Sequence, residues 1–320
     1  MSTAPRDTGA LPEWSELLRV AVARLAEAGV EAPRADAEAL LAPVMEADRG
    51  VALARVFAGA RPSEDQARRF ELAVARRVRR DPLQHITGVA HFHGVDLAVG
   101  PGVFVPRPET ELLAAEGVRA LTALDRPARA VDLCTGSGAL AAALAAWARA
   151  HGRDVAVTAV ELDDAAHAWA RRNLEPWGVD LRHEDALLAG EDLAGVVDVV
   201  LSNPPYVPEA ELAVQPEALA DPPRALYGGD DRGLRLPLGI AGRAAVLLRP
   251  GGVFAMEHHE TQGAALTAAL LDSGAFSDVR VHQDLTGRDR WIGAVRTDRP
   301  AAGGASRGPS RGTVVEEWAP

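Results

Sequence analysis

From about Ala130 the chain alternates short apolar runs with helix-length segments, and this rhythm restricts the fold more than any other feature of the sequence. Residues 130–133 precede a glycine-rich turn and an alanine-rich helix from Ala139 to about Ala150. Residues 155–161 precede a helix running through Trp169, and a fainter strand lies near Val179–Arg182. Residues 196–202, 251–257 and 278–282 continue the series. Such alternation predicts an α/β fold, a parallel sheet covered by helices on both faces. Right-handed crossovers then gather the carboxyl ends of the strands, and any ligand crevice, along one edge.

Upstream the period changes. From Pro12 to about Arg80 apolar residues recur at helical spacing, as in Trp14, Leu17, Leu18, Ala21, Val22 and Leu25, giving about four helices. Ser63, Glu64, Asp65 and Gln66 read as a capping box that starts the last of them. That helix ends in ArgArgValArgArg at 76–80, which suits the negative end of the helix dipole and reads as a solvated end with a local basic patch. Between Gln84 and Val105 short alternating stretches around glycines, with His91 and His93 on one face, predict a β-hairpin. The stretch from about Asp298 is rich in Gly, Ser, Pro and Arg without periodicity and is expected to be a disordered tail. The expected division is a flexible N-terminus at 1–11, a small helical domain at 12–81, a hairpin linker at 82–106, an α/β domain at 107–297 and the tail at 298–320.

Composition removes several function classes. With 48% hydrophobic and 25% charged residues, a chain of 320 residues can bury a sizeable core. Its net charge is −11, and all 34 basic residues are arginine, so a broad nucleic-acid-wrapping surface is not expected. Cys134 is the only cysteine, so no internal disulfide forms. The first twenty residues lack a signal-peptide core, and no apolar run reaches the roughly 18 residues of a membrane span, so a cytoplasmic protein is expected.

Two features mark the crevice. Asp132 to Gly138, AspLeuCysThrGlySerGly, follows a strand and opens a helix, where glycines admit unusual backbone angles and let main-chain N–H groups approach a ligand. Ala141 stands where a dinucleotide turn would carry its third glycine, which weakens a nicotinamide reading; a structural turn without ligand is the plainer alternative. Glu161 closes the next strand, where an acid can accept from the hydroxyls of an adenosine ribose, or simply stand exposed. Asp185, at the end of the following strand, can accept from an adenine amino group or cap the next segment.

The second feature is Asn203, Pro204, Pro205 and Tyr206, directly after the strand at 196–202. Two consecutive prolines make a stiff turn without N–H donors, leaving carbonyls free to accept, and the asparagine side chain adds one further acceptor. This is a receptor for a planar –NH2, whether of a carboxamide or of an aromatic amine, because both offer two hydrogens in fixed geometry. Holding both hydrogens aims the nitrogen lone pair at an electrophile. An ordinary proline turn is the alternative.

Several ordered motifs between Pro82 and about Val295 resemble the release factor N5-glutamine methyltransferases. They are ProLeuGlnHisIleThrGly at 82–88, ValProArgProGluThrGluLeuLeu at 105–113, the turn at 132–138, SerAsnProProTyrValPro at 202–208, AlaLeuTyrGlyGlyAspAspArgGlyLeu at 225–234 and LeuArgProGlyGlyValPheAlaMetGluHis at 248–258. The resemblance implies a Rossmann-like methyltransferase domain behind an α-helical substrate-recognition domain. It implies methylation, with S-adenosylmethionine, of the glutamine in the Gly-Gly-Gln motif of class 1 peptide chain release factors in translation termination. On that basis Cys134, Thr135, Gly136, Ser137 and Gly138 wrap the methionine portion of the cofactor, Glu161 holds the ribose, and Asp185 and Ala186 flank the adenine. Asn203, Pro204, Pro205 and Tyr206 bind and orient the substrate amide, with Asn203 also against the cofactor's methyl end. Residues 106–110 close over the cofactor, with Arg107 and Glu109 paired to hold the loop, a surface pair worth at most about 1 kcal/mol.

This chain departs from the family pattern at Cys134 for a glycine, Glu161 for an aspartate, Asp221 for a glutamate before proline, and Ala186 for a larger group beside the adenine. A glutamine of a ribosomal protein, or an exocyclic amine of a nucleic-acid base, would suit the same turn. The low aromatic content and acidic charge favour the protein amide, with no direct nucleic-acid or membrane partner. No metal is expected: Glu257, His258 and His259 stand together, but adjacent histidines on a strand point to opposite faces.

Overall fold

Trp14, Leu18, Ala21 and Leu25 fall on one stripe of helix α1 (Trp14–Glu27) and are all buried. Around that stripe pack α2 (Pro33–Val44), α3 (Arg49–Phe57) and α4 (Glu64–Val78). Trp14 meets the edge of Phe70 on α4, with ring centroids 5.7 Å apart. The structure is a computed structural model that describes residues 12–209, 211 and 221–299. The expected flexible N-terminus and nearly all of the expected tail lie outside them.

The capping box forms as read, with Ser63 and Gln66 exchanging side-chain and backbone bonds. The arginine run at the other end of α4 is solvated only in part: Arg79 is exposed, whereas Arg77 is buried. Arg77 lies seven residues after Phe70 on the buried stripe and donates to Asp36 of α2 at 2.7 Å. Arg76 pairs with Asp81 at 2.9 Å, and Arg80 donates to the Ala28 and Gly29 carbonyls that end α1. Arg77 and Arg80 thus find partners 41 to 52 residues away, and Arg76 one five residues on.

The expected hairpin is shorter than 82–106. Leu83–Thr87 forms a helix, α5, whose Leu83 and Ile86 pack on the helical core, and Gly88 ends it in a left-handed conformation. The hairpin itself is β1 (Val89–Phe92) and β2 (Val95–Ala98). Its Ala90, Phe92, Val95 and Leu97 are buried in the core of the main domain. Asn173 fastens it there: the amide oxygen accepts from Ala98 N–H at 2.8 Å, and the amide nitrogen donates to the Ala98 and Ser137 carbonyls, each at 2.9 Å.

Beyond it come α6 (Glu111–Thr122), β3 (Ala128–Leu133), α7 (Ala139–Ala150), β4 (Val155–Glu161), α8 (Asp164–Leu174), β5 (Asp180–His183), β6 (Val197–Ser202), α9 (Arg235–Leu247), β7 (Leu248–Glu257), α10 (Gly263–Asp272), β8 (Phe276–Gln283) and β9 (Asp289–Arg296). The sheet order is β5-β4-β3-β6-β7-β9-β8, and the first five strands are parallel. Successive strand residues feed opposite faces, as with Ala130 and Val131, which enter different core clusters. The fold is therefore the expected α/β architecture with a mostly parallel sheet. One strand of it is absent from the sequence reading: β9 lies between β7 and β8, antiparallel to both. The tight Asp284–Arg288 turn joining β8 to β9 permits only antiparallel pairing.

Candidate active site

The register Leu133↔Val160, Leu133↔Ser202 and Ser202↔Met256 aligns the carboxyl ends of β4, β3, β6 and β7. Along this edge opens a cavity of about 630 Å³. Cys134, Thr135, Gly136, Ser137, Glu161, Asp185, Ala186, Asn203, Pro205 and Tyr206 all line it. Gly138 and Pro204 stand behind the wall and do not.

In the turn after β3, Cys134, Gly136 and Gly138 are all left-handed, with φ of 61°, 58° and 88°. A Cβ on Gly138 would lie 2.9 Å from Leu174 Cγ, so glycine there serves helix packing rather than ligand contact. Ala141, where a dinucleotide turn would carry its third glycine, is buried in α7, and its N–H donates to Asp132 at 3.1 Å. The same Asp132 oxygen receives Thr135 Oγ1 at 2.5 Å, while its other oxygen is buried without a partner among the described residues. Burial raises the Asp132 carboxyl to about 7. Burial, reinforced by Glu161 and Asp132, pushes the Cys134 thiol up, so it stays a thiol.

Glu161 collects three backbone donors: Gly136 N–H at 2.8 Å on one oxygen, and Leu162 and Asp163 N–H at 2.9 Å each on the other. A carboxylate offers about four lone-pair positions, so one remains toward the cavity. Burial raises this carboxyl despite those bonds. Asp185 accepts from Leu187 N–H at 2.9 Å, so it caps the following segment while also lining the cavity.

The turn after β6 also borders the cavity, beside the glycine turn that follows β3. Its backbone is clamped: Val207 N–H donates to Leu226 at 2.7 Å, and Gln262 Nε2 donates to the Tyr206 carbonyl at 2.8 Å. The Pro204 and Pro205 carbonyls accept no hydrogen bond among the described residues. One residue behind the turn escaped the sequence reading of the site, and it bonds to Thr110 of the loop at 106–110. Glu257, buried at the end of β7, accepts from Tyr206 Oη at 2.8 Å and from Thr110 Oγ1 at 2.7 Å; Thr110 in turn accepts from Asn203 Nδ2 at 3.1 Å. Burial raises the Glu257 carboxyl, and burial with Glu257 beside it raises the Tyr206 phenol, which stays a donor. The available signal was positional, because Glu257 ends the strand beside the one that Asn203 follows.

The loop at 106–110 borders the cavity through Pro106 and Thr110, but Arg107 does not pair with Glu109. Its guanidinium packs 4.8 Å from the Phe104 ring centroid and donates to Asp221 at 2.6 Å. Asp221 is buried and draws the nearest cation, whereas Glu109 sits in the 3-10 turn that leads into α6. Among the described residues, no group of three or more His, Cys, Asp or Glu is gathered to hold a metal, and no helix is long and apolar enough to cross a membrane.

The family model described as the PrmC N-terminal domain matches residues 16–88, and the one described as the methyltransferase small domain matches residues 110–229. A release factor glutamine methyltransferase of Streptomyces coelicolor is 47% identical over 281 residues, covering 86% of this chain and 95% of that protein. One of Mycobacterium tuberculosis is 41% identical over 285 residues, covering 88% of this chain and 91% of its own length. Among solved structures, a ribosomal protein L11 methylase from Lactobacillus delbrueckii subsp. bulgaricus aligns with a TM-score of 0.41 at 22% identity, over 61% of this chain and 82% of that one.

Proposed function

This chain belongs to the release factor glutamine methyltransferase family, and from that premise we propose which of its residues carry the reaction. The enzyme methylates a release factor glutamine with S-adenosylmethionine. Membership selects that substrate over the ribosomal-protein glutamine and the nucleic-acid amine that the acceptor turn alone would also suit.

The donor set fits the cofactor. The unpartnered Asp132 oxygen asks for a cation or a donor, and the remaining lone pair of Glu161 accepts one hydroxyl. S-adenosylmethionine is cationic and carries a ribose. When bound, it supplies a methyl group on a positively charged sulfur that leaves as a neutral thioether. Cys134, Thr135, Gly136 and Ser137 line the methionine side, with Gly138 shaping the turn from behind, and Asp185 and Ala186 flank the base. A second ribose hydroxyl on Glu161 requires Gly136 N–H to let go.

The substrate carboxamide enters at Asn203. The Asn203 Oδ1 takes one of its hydrogens and the carbonyl of Pro205, the proline that lines the cavity, takes the other; Pro204 stiffens the turn from behind, and the Tyr206 ring packs beside the amide because its hydroxyl is engaged by Glu257. The nitrogen becomes acidic as it gains the methyl carbon and gives its proton to water. Glu257 is turned away onto Thr110 and Tyr206 and does not serve as the base.

The observation that carries this reading is that one cavity joins the glycine turn and Glu161 to the Asn203–Tyr206 turn. Class 1 release factors are the partner, met through the Gly-Gly-Gln loop at the cavity and through the helical region at 12–88, and the cytoplasm is the site of action. Mass spectrometry of a release factor incubated with enzyme and S-adenosylmethionine tests it. A one-methyl mass gain on the Gly-Gly-Gln glutamine is expected, and an unmodified release factor overturns the reading.

A further inference from the structure

Thr110 has one hydroxyl hydrogen and is 3% exposed, so where that hydrogen goes decides what its oxygen can do for others. It goes to Glu257 Oε2 at 2.7 Å. Both Glu257 oxygens receive a hydroxyl, Oε1 from Tyr206 and Oε2 from Thr110, so Thr110 gives its hydrogen there, and toward Asn203 its oxygen is then left as an acceptor. Asn203 answers with its Nδ2, at 3.1 Å. The two ends of a carboxamide diverge from one carbon, so pinning the nitrogen to Thr110 turns Oδ1 away from it. Asn203 Oδ1 has no hydrogen-bond partner among the described residues, and Asn203 lines the cavity.

We infer that Glu257 is a positioning residue for methyl transfer: acting through Thr110, it decides which way round the Asn203 carboxamide stands, so that the turn meets the substrate with an acceptor. This rests on the reading of Asn203 as the residue that receives the glutamine amide. The substrate offers N–H donors. An Asn203 turned over would set its own –NH2 against them, which strips the amide of one acceptor in a site built to bond it. The same carboxylate receives Tyr206 Oη, so one buried group at the end of β7 fixes both ends of the turn that follows β6.

Glu257→Gln tests this because it keeps shape and volume. Tyr206 Oη has no other acceptor among the described residues, so it keeps the new side chain's carbonyl on its side. The new –NH2 therefore faces Thr110. Thr110 then accepts from that –NH2 and gives its own hydrogen to Asn203, and the Asn203 carboxamide turns over. We expect kcat/KM for the release factor to fall about tenfold or more, with S-adenosylmethionine affinity changed less than about twofold. Thr110→Val is expected to lower kcat/KM by itself, Thr110→Ser to recover what valine loses, and Glu257→Gln to add nothing further in the Thr110→Val background.

Wild-type kcat/KM in Glu257→Gln overturns the inference. Losses that multiply in the double variant also overturn it, because Glu257 would then act independently of Thr110. Should Glu257→Gln fail to fold, the Thr110 pair decides: wild-type kcat/KM in Thr110→Val overturns the inference, and a loss recovered by serine upholds it. Asn203→Ala separates the two levels, since an active Asn203→Ala removes the reading of the turn itself, whereas an inactive one beside an unimpaired Glu257→Gln removes only the role of Glu257.

Discussion

Arg107 and Asp221, 114 residues apart in the chain, meet at 2.6 Å beside the cavity, joining the loop before α6 to the segment that carries Pro222, Pro223 and Arg224 into the cavity wall. The Asp221 side chain is fully buried and Arg107 about a third exposed. Removing the cation strands a buried carboxylate, so Arg107→Met is expected to destabilise the protein by about 2–3 kcal/mol, and Arg107→Met with Asp221→Asn to recover most of that. Urea unfolding of the single and double variants checks it, and equal stability in the single variant and the wild type would sink the idea.

Asn203→Ala should reduce release factor methylation by about a hundredfold or more while leaving cofactor binding within a few-fold, because in the proposed reaction the turn receives the substrate amide, whereas the glycine turn and Glu161 hold the cofactor. Methylation assays paired with calorimetric titration of S-adenosylmethionine separate the two effects. An active variant would mean the turn is not the acceptor.

Asp132 makes stability depend on pH in the direction opposite to an ordinary ion-paired carboxylate. Its folded value, about 7, stands above the usual 3.8 because of burial, so the folded state holds the proton more tightly. Its contribution is therefore fully present below about 3.8 and is lost as pH rises to about 7, after which it is flat. Asp132→Asn should flatten this part of the stability profile in thermal unfolding. A cationic cofactor prefers the carboxylate form, so its affinity should rise with pH through about 7 in the wild type and not in Asp132→Asn.

Gly138→Ala combines a left-handed φ of 88° with a Cβ 2.9 Å from Leu174 Cγ, and should cost about 2–4 kcal/mol. Gly136→Ala meets no atom within 4 Å and carries only the backbone strain, about 1 kcal/mol. Chemical denaturation of the pair measures the difference, and similar losses in both would show that the Leu174 contact yields freely.

What the sequence made legible was local or periodic. The β3–α7 turn, the ends of β4 and β6, and the Ser63 capping box each write their signal within a few residues. Pairings set by tertiary approach left no such mark. Arg107 read naturally as the partner of nearby Glu109, and Arg77 as part of a solvated helix end, until Asp221 and Asp36 were brought to them. Glu257 was legible only as a neighbour of His258, because its meaning depends on β6 and β7 lying side by side with their ends level. β9 was overlooked because the β/α rhythm has no place for a strand that turns back on its predecessor.

Asn173 has a consequence for where the chain can be cut. Its side chain grips Ala98 at the end of the hairpin and Ser137 in the glycine turn, while Phe92, Leu97 and Val99 fill the core beside α7. A fragment starting at 107 would open that core and deprive this amide of Ala98, so an excised piece that keeps the core closed must include the hairpin. The hairpin is inseparable from the α/β half of the molecule.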